Sequence, residues 1–348
     1  MPKQTFRIRG EPLFDIVSHG RGGPRETGGR LTPAQVEQIR RTVQRAPEVM
    51  VKVLPKDAND LKAVRRHLDY IGRYGKLELE SDDGERLQGR IGKALLDDWD
   101  LDIDEVRRQS KLAATKGRQA PKIVHKLMFS MPAGTPPAKV LGAVRNLARE
   151  EFWGQHRYAF TLHTDEDHPH VHLVLKALSE QGVRLNIKKA TLRHWRSEFA
   201  RNLRLLGVEA NATERAVRGE SLTAKKDGIY RASLRGDSTY VRAQTEAVAA
   251  DLLKGGTRIT TGRETLLRTR REVDRGWLSA AEVLRRDGSY DLADDVRLFL
   301  SGMPRVQTDK ERIAEALVGR VQNQRLPLPP TRGSVEQAPG QDLRRYHQ

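Results

Sequence analysis

The chain has 348 residues, with 63 Lys and Arg against 46 Asp and Glu, a formal net charge of +17 and a sequence pI near 10.2. A basic excess of that size points to a polyanionic partner. Nucleic acid is favoured over a membrane surface, because no apolar run approaches the roughly 18–20 residues of a spanning helix and Met1-Pro-Lys-Gln-Thr-Phe-Arg lacks the apolar core of a secretory signal. With no Cys, disulfides and thiolate ligands are excluded.

Residues 1–30 set Arg7, Arg9, Arg21, Arg25 and Arg30 among many glycines. They read as a flexible basic arm, suited to phosphate contact or to plain solvation. Thr32 as N-cap, Pro33 at N1 and Gln35 at N3 predict a helix to about Gln44. Glu48 to Leu54 alternates as a strand. Asp57 to Gly75 reads as a helix with an apolar stripe of Leu61, Val64, Leu68 and Ile71, ended by Gly75. Tyr70 lies off that stripe, in line with Arg66, His67, Arg73 and Tyr74. It is either an ordinary surface tyrosine or a group placed for chemistry on phosphate.

From Asp82 to Lys116 the chain is polar and in part helical, as a lid or an insertion. Lys122 to Met131 is a predicted strand with Val124, Lys126, Met128 and Ser130 on one face. A helix over Pro136–Trp153 turns Val140, Val144, Leu147 and Ala148 inward. A short strand is expected at Arg184–Ile187. A basic amphipathic helix over Lys189–Leu206 carries Leu192, Trp195, Phe199 and Leu203. Residues 208–240 are polar with few core positions, and 226–240 read as a linker. Residues 241–322 form a helical region, with segments at Val241–Leu253, Leu278–Arg286 and Lys310–Val321. Residues 323–348 read as a disordered tail. The order strand, helix, strand, helix, strand, strand, helix predicts an α+β domain over 31–225, an antiparallel central β-sheet flanked by helices.

Four of the ten histidines fall in ten positions, His163-Thr-Asp-Glu-Asp-His168-Pro-His170-Val-His172. The flanks alternate as two strands joined by a short acidic loop. Ala159, Thr161 and His163 share one side, and His170 shares a face with His172 while Val171, Leu173 and Leu175 take the other. Three neutral imidazoles delivered to one point make a divalent metal site with coordination positions left open. His168, His170 and His172 also spell an alternating pattern like that of histidine-triad nucleotidyl hydrolases, but Pro169 sits where that pattern wants an apolar strand residue.

Three blocks in this order resemble the relaxases, the plasmid-mobilisation nucleases of the HUH endonuclease superfamily, and within them the MOBP branch of Agrobacterium Ti-plasmid border-nicking type. They are His67-Leu-Asp-Tyr70-Ile-Gly-Arg73-Tyr74, Phe129-Ser130-Met-Pro-Ala-Gly-Thr135, and His163 to Leu175. The resemblance implies site- and strand-specific nicking of DNA at an origin of transfer, with a covalent 5′-phosphotyrosine link that allows rejoining. It implies Tyr70 as nucleophile, Tyr74 as a second candidate, and His163, His170 and His172 as ligands of Mg²⁺ or Mn²⁺. Ser130 matches a DNA contact near the scissile phosphate, while Asp165, Asp167 and His168 match a variable acidic segment. Asp165 is a candidate to orient an imidazole, and Asp165 or Asp167 to help deprotonate Tyr70. Arg65, Arg66, Arg73, Lys126, Lys188, Lys189 and Arg193 are candidates for a backbone track. Expected partners are single-stranded origin DNA, accessory DNA-binding proteins and a type IV coupling protein, without membrane insertion. The expected location is the bacterial cytoplasm, with export alongside DNA to a recipient cell. A non-catalytic DNA-binding module with the same fold is the alternative.

Overall fold

The computed structural model describes residue 16 and residues 30–54, 60–101, 121–221, 227–255 and 261–325. Six strands form one antiparallel sheet. They are β1 (Met50–Leu54), β2 (Leu79–Ser81), β3 (Arg86–Leu87), β4 (Val124–Ser130), β5 (Tyr158–His163) and β6 (His170–Lys176), in the order β1-β4-β6-β5-β2-β3. Around it stand α1 (Pro33–Val43), α2 (Leu61–Ile71), α3 (Gly92–Asp98), α4 (Pro137–Phe152) and α5 (Lys189–Leu205). The α+β expectation holds, and the short hairpin β2–β3 adds two strands to those predicted.

Strand alternation divides the domain into two cores. Leu127, Phe129, Tyr158, Phe160, Val171, Leu173 and Leu175 meet α4 and α5 on one face. There Phe199 stands edge-on to Phe129 at 5.3 Å between ring centroids. Burying a ring of that size contributes on the order of 2–3 kcal/mol. On the other face Val124, Ala159 and Val174 meet Val64, Leu68 and Ile71 of α2 and Leu95 and Leu96 of α3. This second core ends at the row Lys126–Val174–Ala159. Beyond it, the next two rows of that face are Met128–His172–Thr161 and Ser130–His170–His163. The histidines therefore stand just beyond the apolar core, buried beside the end of α2.

The helix expected over Asp57–Gly75 is shorter. Asp60 caps α2 by accepting from the Lys62 and Ala63 amides, and the helix stops at Gly72, so residues 57–59 lie outside the described part. A Cβ at Gly72 would sit 2.9 Å from the Leu79 side chain, so the chain passes too close to β2 for another residue. Arg73 and Tyr74 then take left-handed backbone conformations (φ 49° and 55°). Gly75 (φ 98°) closes the turn against the Gly89 backbone, where a Cβ would meet Gly89 Cα at 2.8 Å. Tyr74 is thus not one helical turn beyond Tyr70, and the two rings belong to different local frames.

At Arg184–Ile187 there is only an isolated bridge from Arg184 to Leu178, not a strand. Nor are residues after 208 merely an exit. Ala210, Asn211 and Ala212 are buried, and the Asn211 amide donates to Thr42 Oγ1 (3.0 Å) and Glu48 Oε1 (3.1 Å). Farther on, the chain forms α6 (Asp227–Arg235), α7 (Thr239–Leu253), α8 (Thr261–Arg286), α9 (Tyr290–Ser301) and α10 (Asp309–Arg325). Helix α6 occupies the segment read as linker. Helix α9 lies within the helical region expected over 241–322 but outside its three named segments; Leu292, Val296 and Phe299 recur at helical spacing and are buried.

The described residues fall into two compact units: Met1–Glu220 with Arg271–Pro304, and Ser221–Arg270 with Arg305–Gln348. In the first, Val273, Trp277 and Leu284 of α8 and Leu292 and Val296 of α9 form a core with Ile39 of α1 and with Ile16. In the second, α7 packs with α10, and Val248 and Ala314 are buried. No helix among the described residues is long and apolar enough to cross a membrane.

Candidate active site

His163 ends β5, and His170 and His172 begin β6. Their ligand atoms lie within 4.8 Å of one another, and all three side chains are buried. Ring centroids are 4.7–5.2 Å apart. Neighbouring backbone sets two of the tautomers. His163 Nε2–H donates to the Ile71 carbonyl (2.6 Å), which leaves Nδ1 as the acceptor atom, 3.2 Å from the Arg73 guanidinium. His170 Nδ1–H donates to the His168 carbonyl (3.2 Å), leaving Nε2 as the ligand atom. His172 Nδ1 is buried with no hydrogen-bond partner. A buried, orphaned ring nitrogen beside two oriented imidazoles is the donor set that a divalent cation completes.

Charge favours the same conclusion. Burial, then the neighbouring His163 and His170, pushes His172 down to about 3. Burial also lowers His163, against its bond to Ile71. Neutral imidazoles are the metal-ready form. His67 of α2 is held down to about 4 by burial, Lys126 and His163, with its ring 6.2 Å from that of His172.

Away from the site the same burial brings His125 down to about 4, while its Nε2–H donates to the Leu185 carbonyl. Its stability contribution is complete above the ordinary histidine value and is lost as pH falls, because the unfolded chain then takes up a proton that the fold refuses. At pH 5 the expected loss from His125 is about 2 kcal/mol relative to pH 7. Urea unfolding in EDTA should show it, and His125→Gln should flatten it. An equal pH response in that variant would refute the assignment.

Tyr70 is about half exposed on the last turn of α2. Its ring lies parallel to that of His67 at 6.5 Å. The Arg73 guanidinium carbon stands 5.1 Å over its centroid. Arg73 joins the site together: its guanidinium lies 3.2 Å from His163 Nδ1 and pairs with Asp165. Its hydrogen bond to the Tyr70 side chain raises it first, opposed by burial and aided by Asp165. The left-handed turn supplies this reach. Strain of that kind costs on the order of 1–3 kcal/mol per residue and persists only where its surroundings hold it.

The other candidates divide. Ser130 is buried and opposite His170, with Oγ 3.5 Å from the Met131 carbonyl. Arg66 is exposed on α2. Asp165 is exposed; burial raises its pKa, but its own backbone amide, Arg73 and His163 outweigh that and hold the pKa below the usual carboxylate value. Asp165 is 4.0 Å from His163 Nδ1, so its hydrogen-bond partner is Arg73 rather than an imidazole. Asp167 is exposed on the loop, and His168 pairs with Glu166 at 3.2 Å. Lys126 is only 4% exposed, too deep in the sheet for a surface track, and acts on His67 instead. Lys188, Lys189 and Arg193 start α5, which covers the opposite face of the sheet, and Arg193 pairs with Glu214. Two residues of the histidine face were missed. His67 is three residues before Tyr70, a helical spacing that the sequence displays. Lys52 pairs in register with Met128, in the His172 row, and is exposed.

Residues 80–204 match the family model described as Relaxase: MobA/VirD2-like, nuclease domain. That span includes the three histidines and Ser130 and begins after Tyr70. The chain is similar to proteins named T-DNA border endonuclease VirD2. The one from Rhizobium rhizogenes is 26% identical over 203 residues, covering 49% of this chain and 42% of the relative. That from Rhizobium radiobacter is 26% identical over 206 residues (49% and 43%). That from Agrobacterium fabrum is 25% identical over 203 residues (49% and 41%). The match therefore spans less than half of each of these relatives.

Proposed function

Because the chain carries a relaxase nuclease domain of the MobA/VirD2-like, HUH type, we propose that it nicks one strand of origin-of-transfer DNA by tyrosine transesterification. The observation that carries this reading is the juxtaposition of a solvent-reachable phenol with three buried, clustered imidazoles, joined through Arg73. A module that only binds DNA has no use for a nucleophile beside an open metal site.

His163, His170 and His172 would hold the ion, Mg²⁺ or Mn²⁺. When bound it supplies Lewis-acid polarisation of the scissile phosphate. The chain's own groups do the rest. Tyr70 Oη bonds to phosphorus and the bond from phosphorus to the 3′-oxygen breaks. The phenol proton leaves to solvent, and the departing 3′-oxygen takes one back. The products are a 5′-phosphotyrosine and a free 3′-hydroxyl, and the ester keeps enough reactivity for the reverse step to rejoin the strand. Arg73 holds the phenol by hydrogen bond and by its position over the ring. Asp165 fixes Arg73 in turn.

The strand must be single or melted for one phosphate to reach Tyr70. Arg66, Lys52 and Arg73 are the phosphate contacts that face the site. The type IV coupling protein, the accessory proteins and export from the cytoplasm belong to this proposal by analogy with mobilisation systems. The test mixes the purified chain with labelled single-stranded origin oligonucleotides and Mn²⁺ or Mg²⁺, beside an EDTA control, on a denaturing gel. A metal-dependent band that carries protein on the 5′ end of the cut is expected. Tight binding without cleavage, across many origin sequences, would establish the non-catalytic module instead.

A further inference from the structure

One groove begins at Arg73, whose guanidinium stands over the Tyr70 ring, and a second adjoins it. The first, of about 380 Å³, is lined by Arg73, Tyr74, Lys76, Leu77, Thr164 and Asp165. The other, of about 470 Å³, shares Lys76 and Leu77 with it and continues past Arg86 and Gln88 of the β2–β3 hairpin to Leu141 and Arg145 of α4. Through Lys76 and Leu77 the two adjoin at the β2–β3 end of the sheet, the second lying on the α4 side with Phe160 and Leu162. Its charge suits a phosphate chain. Arg145 neutralises Glu80 through two hydrogen bonds of 2.6 Å. Among the exposed groups of the second groove this leaves Lys76 and Arg86 against Glu78.

Tyr74 is the unusual residue of the first groove. Phe129, Phe152, Phe160, Trp195 and Phe199 of the same domain are fully buried, whereas Tyr74 is 61% exposed. Its backbone is left-handed (φ 55°, ψ 35°), a conformation that a bulky aromatic residue rarely adopts. Hydrogen bonds from the Gly75 and Leu77 amides to the Gly72 carbonyl, both 3.0 Å, hold the turn in that form. The fold thus holds an aromatic face open in the groove next to Tyr70.

We propose that Tyr74 is a stacking platform for an unpaired base flanking the scissile phosphate, and that Lys76 and Arg86 hold the following phosphates along the β2–β3 edge. The inference rests on the proposed relaxase function and assigns Tyr74 to substrate positioning, not to nucleophilic attack. Base stacking on an aromatic ring is sequence-tolerant, so an oligothymidylate probe reports it.

The experiment measures anisotropy of fluorescein-labelled dT20 with the full chain and its Tyr74→Phe, Tyr74→Ala and Lys76→Ala/Arg86→Ala variants. Tyr74→Ala is expected to weaken binding by about 5- to 100-fold, and Tyr74→Phe, which keeps the ring, by less than about 2-fold. The double variant should bind more weakly and show a salt dependence shallower by about 1.4 in log–log slope. Wild-type affinity in Tyr74→Ala, or equal losses in the Phe and Ala variants, would overturn the stacking role. An unchanged salt slope would overturn the path. A wild-type chain that fails to bind dT20 would sink both this inference and the relaxase reading, whereas wild-type binding with unaffected variants would sink this inference alone. Circular dichroism of each variant separates a binding loss from misfolding.

Discussion

Tyr70→Phe is expected to abolish the covalent adduct and lower strand nicking by at least about 10⁴-fold, while binding of single-stranded DNA changes little. The substitution removes one oxygen and keeps the ring that lies parallel to His67 and under Arg73. Packing is therefore retained, and the loss falls on the chemical step. A free phenol is a weak nucleophile near neutral pH. The gain over an ordinary exposed tyrosine comes from position: the ring lies 6.5 Å from that of His67, which neighbours His172, and the Arg73 guanidinium stands over it. The check is a single-turnover time course on a denaturing gel, with anisotropy on the same samples. An adduct of undiminished yield in Tyr70→Phe would remove Tyr70 from the mechanism and direct attention to Tyr74. Because Tyr74 sits across a left-handed turn from Tyr70, it is not a ready substitute for it.

His172→Ala should cost cleavage on the order of 10²–10³-fold at fixed Mn²⁺ and shift the Mn²⁺ titration to at least about tenfold higher concentration. His172 stands in the middle strand of the site, between Met128 and Thr161 in register. Its orphaned Nδ1 and its strongly lowered pKa mark it as a group that gains most from a bound cation. Isothermal titration of the EDTA-stripped chain with Mn²⁺ gives a readout independent of nicking. Loss of both binding and nicking is the expected pair of results. If the wild-type chain cleaves at full rate in EDTA, or His172→Ala titrates like wild type, the three histidines do not form the functional metal site.

Much of the domain can be read from one dimension because its signals are local. Val124 to Ser130 and His170 to Lys176 alternate with a period of two, so the side on which each residue falls follows from the pleat alone. That is enough to place His163, His170 and His172 on one face, with Val171, Leu173 and Leu175 facing a core. The capping of Thr32 and the apolar stripe of α2 are likewise local. The tyrosine and the histidines are more than ninety residues apart, yet each motif carries its chemistry in its own few positions.

Four features depend on approach between distant segments, and no local pattern encodes them. The helix of Tyr70 stops at Gly72 because Leu79 lies against it, and the left-handed turn that follows brings Arg73 to His163 and Asp165. Lys126 and Lys188 look alike as basic residues in sequence. One is buried in the histidine face, while the other begins a helix on the opposite face. The histidines cluster just beyond the apolar α2–α3 core, which ends in the row next to His172, a matter of helix length against strand length. Residues 271–304 return to pack with α1, so removing everything after about residue 225 would strip Trp277 and Leu284 from a core that includes Ile39. The clustering of the three histidines on one strand face and the faces of the strands follow from sequence periodicity and residue chemistry. The position of Arg73, the path past Tyr74 and the span of the first unit were decided by tertiary packing, because each depends on which surfaces meet once the sheet is closed.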